Sequence, residues 1–153
     1  MNVRIEPLRE AHLDALAKLE RCCFSEPWTR AQLAEECANP QAAVFVASAD
    51  GGVAGYAGVH TVLDEAYITN VAVFPQFRRQ GVGRLLLRAL DDFCVKKGMA
   101  FITLEVRASN SAAIALYRSC GYEAVGTRRH FYARPAEDAL LMTKYFQNAG
   151  PVV

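Results

Sequence analysis

The stretch QFRRQGVGRLLLRAL, Gln76–Leu90, joins four arginines, two glycines one residue apart and a run of leucines. Its second half is periodic. Val82, Leu85, Leu86, Ala89, Leu90 and Phe93 fall at i, i+3, i+4, i+7, i+8 and i+11, which is one apolar face of a helix. Gly98 is a natural stop for it. Just upstream, AYITNVAV (66–73) reads as a β run, and Pro75 ends it. A strand therefore runs into a basic, glycine-bearing loop that opens a helix. At that end the main-chain N–H groups have no intrahelical partner, and the helix dipole adds positive charge. Gly81 and Gly83 let an anion reach the backbone with no Cβ in the way. The residue set Arg78, Arg79, Gln80, Gly81, Val82, Gly83 and Arg84 thus points to a cradle for a pyrophosphate. A plain turn beside a solvated arginine face is the competing reading of these residues. Two familiar nucleotide motifs are excluded: a G-x-G-x-x-G would need glycine where Leu86 stands, and no G-K-[ST] occurs.

Working outward, VRIEP (3–7) reads as a short strand and residues 11–21 as a helix carrying Leu13, Leu16 and Glu20 at helical spacing. Pro27 and Trp28 break the chain, Thr29 caps a helix over roughly 30–38, and Asn39-Pro40 stops it. AVFVAS (43–48) and VAGYAGVH (53–60) are strands joined by a turn at Asp50-Gly51-Gly52. Downstream of the cradle helix, FITLEVR (101–107) alternates as a strand, Ser109-Asn110-Ser111 caps a helix over 112–120, and Gly121 ends it. Two further strands lie at about 122–131 and 138–145. Antiparallel hairpins followed by β-α-β-α-β predict an α/β (α+β) domain: one mixed, mostly antiparallel sheet flanked by about four helices. The expected organisation is a single domain over 1–147 with a short tail at 148–153.

The 153 residues suit one domain, and 52% hydrophobic content can fill its core. A net charge of +1 gives no basic excess for bulk nucleic-acid binding. No run is apolar enough to span a membrane, and MNVRIEPLREAHLDAL lacks the apolar core and cleavage site of a secretory leader. A cytoplasmic protein is expected, binding neither nucleic acid nor membrane. Five cysteines (Cys22, Cys23, Cys37, Cys94, Cys120) form no C-x-x-C pair and read as reduced thiols. The three histidines are far apart and none pairs with a cysteine at ligand spacing, so no metal site is expected.

LEVRASNSAAIALYRSCGY (104–122) is the second informative stretch. It carries a carboxylate near the end of a strand and a tyrosine on the following helix, a residue pair suited to act as a base and an acid. In FITLEVR, Phe101, Thr103, Glu105 and Arg107 share one face, opposite Ile102, Leu104 and Val106. Tyr117 follows Asn110 by two helical turns, on the same face. The residues alone leave other readings open: Glu105 as a surface charge paired with Arg107, Tyr117 as a core aromatic, Asn110 as a cap only.

NVAVFPQFRRQGVGRLLL resembles the acyl-CoA-binding signature of the GNAT superfamily of N-acetyltransferases, R/Q-x-x-G-x-G/A at a helix start. The resemblance implies the GNAT fold, with the pyrophosphate of acetyl-CoA on the 79–84 amides. It also implies that backbone at Val71, Ala72 and Val73 pairs with the pantetheine arm like an added strand. LEVRASNSAAIALY resembles the ribosomal-protein-alanine N-acetyltransferases in particular. That likeness implies Glu105 as general base, Tyr117 as the acid for the CoA sulfur, and Asn110 on the CoA arm. CFSEPWT (23–29) resembles that group's acceptor-groove wall, which points to Phe24 and Trp28. RRHFYARPAEDALLM (128–142) resembles its tail, with Phe131 where tyrosine is usual, leaving Tyr132 to hold the acceptor backbone. The expected function is acetyl-CoA-dependent, metal-free acetylation of a protein N-terminal α-amine, the alanine of a small-subunit ribosomal protein. Acetylation of lysine side chains or small amines is the alternative, and a non-catalytic acyl-CoA-binding module is a further one.

Overall fold

The computed structural model describes residues 2–146, so the expected tail at 148–153 lies outside the described residues. Along the chain come β1 (Val3–Pro7), α1 (Leu13–Cys23), α2 (Arg30–Ala38), β2 (Ala42–Ala49), β3 (Gly52–Val62) and β4 (Glu65–Val73). After them come α3 (Val82–Lys97), β5 (Phe101–Arg107), α4 (Ser111–Ser119), β6 (Glu123–Ala133) and β7 (Ala136–Tyr145). The sheet has seven strands in the order β1-β2-β3-β4-β5-β7-β6. β1–β2, β2–β3, β5–β7 and β6–β7 are antiparallel, while β4–β5 is parallel over Glu65–Tyr67 and Phe101–Thr103. A parallel pair needs a crossover, and α3 is that crossover. This is the mixed α/β architecture expected from the sequence.

The helix ends follow from local chemistry. Thr29 and Gln32 form a reciprocal capping box at the start of α2. Asn110 accepts from the Ala113 amide at the start of α4 (3.1 Å). Gly98 and Gly121 end α3 and α4 at φ of 72° and 99°. Their following amides, of Met99 and Tyr122, reach back to the carbonyls of Cys94 and Tyr117. The first helix differs from the 11–21 reading: a 3₁₀ turn, Glu10–His12, precedes α1. His12 causes it, taking the Arg9 amide on Nδ1 (3.0 Å) and facing the Glu6 carboxylate through Nε2 (2.9 Å).

By contact density the chain divides into two compact units. One holds the described residues up to His60 with Thr69–Asp92, and the other holds Thr61–Ile68 with the residues from Phe93 on. The first has a core of Leu13, Leu16, Leu19, Leu33, Val46, Tyr56, Ala72 and Phe74. Each fully buried leucine contributes about 1.5–3 kcal/mol. In α3 the buried stripe is Val82, Leu86, Leu87, Leu90 and Cys94. Leu85, Ala89 and Phe93 are only half-buried, so the stripe lies slightly rotated from the one read in the sequence. In the second unit Ile102, Leu104, Val106, Tyr122, Ala139 and Met142 are buried. No helix among the described residues is long and apolar enough to cross a membrane.

One polar group sits at the bottom of the first core. Glu20, on α1, is 1% exposed. Its carboxylate accepts from Tyr56 Oη (2.6 Å), Asn70 Nδ2 (3.3 Å) and the Trp28 amide (2.8 Å). Its main-chain carbonyl accepts from the Phe24 amide (3.0 Å). Burial, reinforced by Glu20, pushes the Tyr56 phenol far above its ordinary range, so it remains a donor. Removing the carboxylate strands three buried donors. Glu20→Leu is therefore expected to cost about 3–5 kcal/mol and Tyr56→Phe about 1–3 kcal/mol, read as shifts in urea midpoint at constant slope.

Candidate active site

In the first unit, β4 ends at Val73 and a 3₁₀ turn, Pro75–Phe77, leads to the arginine–glycine loop. Arg79 and Gly81 both take left-handed backbone, at φ of 60° and 84°. Left-handed residues spaced this way turn successive N–H groups toward one concavity. The first amide of α3 to reach back is that of Leu85, to the Gly81 carbonyl (3.1 Å). The amides of Val82 and Gly83 precede it, in the first turn of the helix, where N–H groups have no partner four residues back. The loop is open: Arg78, Arg79, Gln80, Gly81 and Arg84 are exposed. A Cβ built on Gly81 meets nothing within 4 Å. The space beside Gly81 is therefore open to an approaching anion.

Two loop side chains are engaged internally. Arg78 donates through Nε to the Val73 carbonyl (3.0 Å) and through Nη2 to Cys23 Sγ (3.3 Å). Gln80 donates to the Gln76 carbonyl (3.0 Å). The Val73 carbonyl is thus already occupied. β4 is closely held on its other side, where a Cβ on Gly55 would lie 2.6 Å from the Ala72 carbonyl. Phe24 is exposed and Trp28 half-buried, and both are fixed through Glu20, as described above.

The second unit gathers the titratable residues. β5 alternates as its sequence requires: Ile102, Leu104 and Val106 are buried, and Phe101, Thr103, Glu105 and Arg107 are half-buried on the other face. The Glu105 side chain is only 4% exposed. Its carboxylate accepts from the Tyr67 hydroxyl and lies 3.7 Å from Arg128 Nε. Burial raises its pKa, and the Arg128 guanidinium opposes the rise. Arg107 does not pair with it. That guanidinium donates to the carbonyls of Pro135 (2.8 Å) and Arg134 (2.9 Å), pairs with Glu137 (3.3 Å) and covers the Tyr132 ring at 4.3 Å. Tyr132 is thereby held in place, with a pKa raised first by burial and then by the Glu105 charge.

Tyr117 lies on α4 with 8% exposure and meets the Tyr122 ring edge-on at 5.6 Å. Burial, with Tyr132 next in effect, pushes its phenol well above the ordinary tyrosine range. Asn110 is exposed and spends its side-chain oxygen on the α4 cap. The second unit therefore brings together Glu105, Tyr117 and Tyr132. The sequence reading missed Tyr67 and Arg128. Tyr67 stands opposite Thr103 across a parallel pairing, so its reach to Glu105 is visible only once the register is known. Among the described residues no group of three or more His, Cys, Asp or Glu could hold a metal ion.

Comparison with known proteins bears directly on this arrangement. The profile of the acetyltransferase (GNAT) family matches residues 13–122, a span that includes both glycines of the loop, Glu105 and Tyr117. The [ribosomal protein bS18]-alanine N-acetyltransferase of Escherichia coli is 39% identical over 140 residues, covering 90% of this chain and 94% of that one. The N-alpha-acetyltransferase RimI of Mycobacterium tuberculosis is 37% identical, covering 93% and 92%. The crystal structure of the ribosomal-protein-S18-alanine N-acetyltransferase from Escherichia coli superposes with a TM-score of 0.89 at 37% identity, covering 99% of each chain. With its open amide loop at a helix start and a family match spanning both units, the chain belongs to the acetyltransferase (GNAT) family.

Proposed function

We propose that this chain is an acetyl-CoA-dependent N-terminal acetyltransferase working as one catalytic domain. Its acceptor is the α-amine of a ribosomal protein, in the manner of its bS18-alanine relatives, and its compartment is the cytoplasm. The observation that carries the reading is the pairing of chemistries: an unfilled amide loop in one unit, and a sequestered carboxylate with a sequestered phenol in the other.

Acetyl-CoA would supply the acyl group and a thiolate leaving group. The amides of the 79–84 loop would hold its pyrophosphate, with Arg79 and Arg84 adding charge, and Val71–Val73 and Asn110 would take the arm. Phe24, Trp28 and Tyr132 would hold the acceptor. Glu105 takes the proton from the acceptor ammonium. An α-amine with a pKa of about 8 is already partly neutral near pH 7, so a carboxylate raised by burial is base enough. Tyr117 is protonated when the substrates bind, gives its proton to the sulfur as the C–S bond breaks, and regains one from the newly acylated nitrogen, which must lose its second proton. Its own raised pKa would make that transfer uphill to a solvated thiolate, but a thiolate in the same dry surroundings is raised as well. The amine attacks directly, so no cysteine acts as nucleophile. The presence of both Glu105 and Tyr117 supports an enzyme over a simple acyl-CoA-binding module.

Three measurements test this. Tyr117→Phe is expected to bind coenzyme A as the native chain does and to lose about 10²–10⁴ in kcat; unchanged turnover removes its role. Gly81→Val forces a β-branched residue into left-handed backbone and points it into the open cradle. Calorimetry with coenzyme A should show affinity at least about tenfold weaker, in protein that still melts cooperatively. Arg128 holds the Glu105 pKa down, so Arg128→Gln should let it rise. The acid limb of kcat/KM on one peptide should then move to higher pH; a limb that stays put separates it from Glu105.

A further inference from the structure

The first unit has an open cavity of about 450 Å³ between α2 and the end of β3, of whose lining only Trp28 has been given a role above. It falls within the range of roughly 300–1,000 Å³ typical of ligand sites. Its lining is Trp28, Gln32, Glu35, Glu36, Asn39 and His60. No lysine or arginine lines it. Glu36 is nearly sequestered, its side chain 8% exposed, and it faces His60 Nε2 at 2.7 and 3.0 Å. Asn39 Nδ2 reaches the same carboxylate only weakly, at 3.5 Å. Glu35, one residue back, is exposed and has no ion-pair partner among the described residues. The two carboxylates outnumber the one imidazole.

The remaining wall narrows the chemistry. Trp28 offers an aromatic face whose backbone is pinned by Glu20, so the indole is presented from a fixed point of the core. Gln32 spends its side-chain oxygen on the Thr29 amide and Asn39 spends its own on Gln41. The acceptors left for a visitor are therefore the glutamates. A cavity with one aromatic wall, two carboxylates to one imidazole and no lysine or arginine disfavours phosphates and acidic peptides. It suits a cation carried on an apolar stem. Arginine fits better than lysine, because its planar, weakly hydrated guanidinium stacks on an indole and forks onto carboxylate oxygens.

We propose that the Trp28–Glu35–Glu36–His60 cavity is a specificity site that takes a basic side chain, arginine above all, of the acceptor protein downstream of its N-terminus. This rests on the N-terminal acceptor reading and adds what that acceptor must carry. A ribosomal protein, whose work is to bind RNA phosphates, is rich in such side chains.

The test uses the full chain, acetyl-CoA and alanine-starting peptides of one length, carrying either arginines or glutamines after the first residue. The native protein should acetylate the arginine peptide with a KM about tenfold lower. Glu35→Gln combined with Glu36→Gln should raise that KM about tenfold, move the glutamine-peptide KM less than twofold, and leave the KM for acetyl-CoA in place. Glu123→Gln, an exposed charge on β6, controls for overall charge. If the double variant changes both peptides alike, or no more than Glu123→Gln does, the specificity site is wrong. If the native protein takes both peptides equally well, that too overturns it while the N-terminal acceptor reading stands. If neither peptide is acetylated, both fall together.

Discussion

A single buried carboxylate governs the first unit. Glu20 enters from α1 and is met by β3 through Tyr56, by β4 through Asn70, and by the segment after α1 through the Trp28 amide. A carboxylate is expensive to desolvate, and its cost is offset only when its oxygens find several donors at once. That condition cannot be met by a partly assembled core: helix, both strands and the connecting segment must all be in place. The same atoms that stabilise the core therefore also fix Phe24 and Trp28, the first by the main chain of Glu20 and the second by its side chain.

The second unit uses polar groups differently. Arg107 gathers the carbonyls of Arg134 and Pro135, the Glu137 carboxylate and the Tyr132 ring into one cluster at the β6–β7 turn. Glu105, two residues earlier on the same strand face, is left to Tyr67 and Arg128. Because Arg107 is fully occupied, it does not neutralise the neighbouring glutamate. Burial is then the dominant influence on Glu105, and its basicity rises instead of falling.

Much of this was legible in the sequence because it is local. The α3 period, the Thr29 and Asn110 caps, the glycine stops at 98 and 121 and the alternation of FITLEVR all depend on residues within a few positions of each other. Three features were not legible, each for the same reason. Glu20 sits at helical spacing among leucines, and nothing near it reveals that its partners come from positions 28, 56 and 70. The Tyr67–Glu105 contact requires the β4–β5 register. His60 meets Glu36 across 24 positions of sequence. The 3₁₀ entry to α1 was missed on a smaller scale, because a histidine that accepts a backbone amide is rarer than a serine or aspartate doing so.

Arg79 carries a side chain at a backbone angle where glycine would rest easily. Holding it there costs on the order of 1 kcal/mol. A glycine at that position would relieve the tension and firm up the fold, but would take one guanidinium from the rim of the anion cradle. Thermal robustness and grip on the donor are thus set against each other at one codon, and selection for heat tolerance alone would be drawn to erode it.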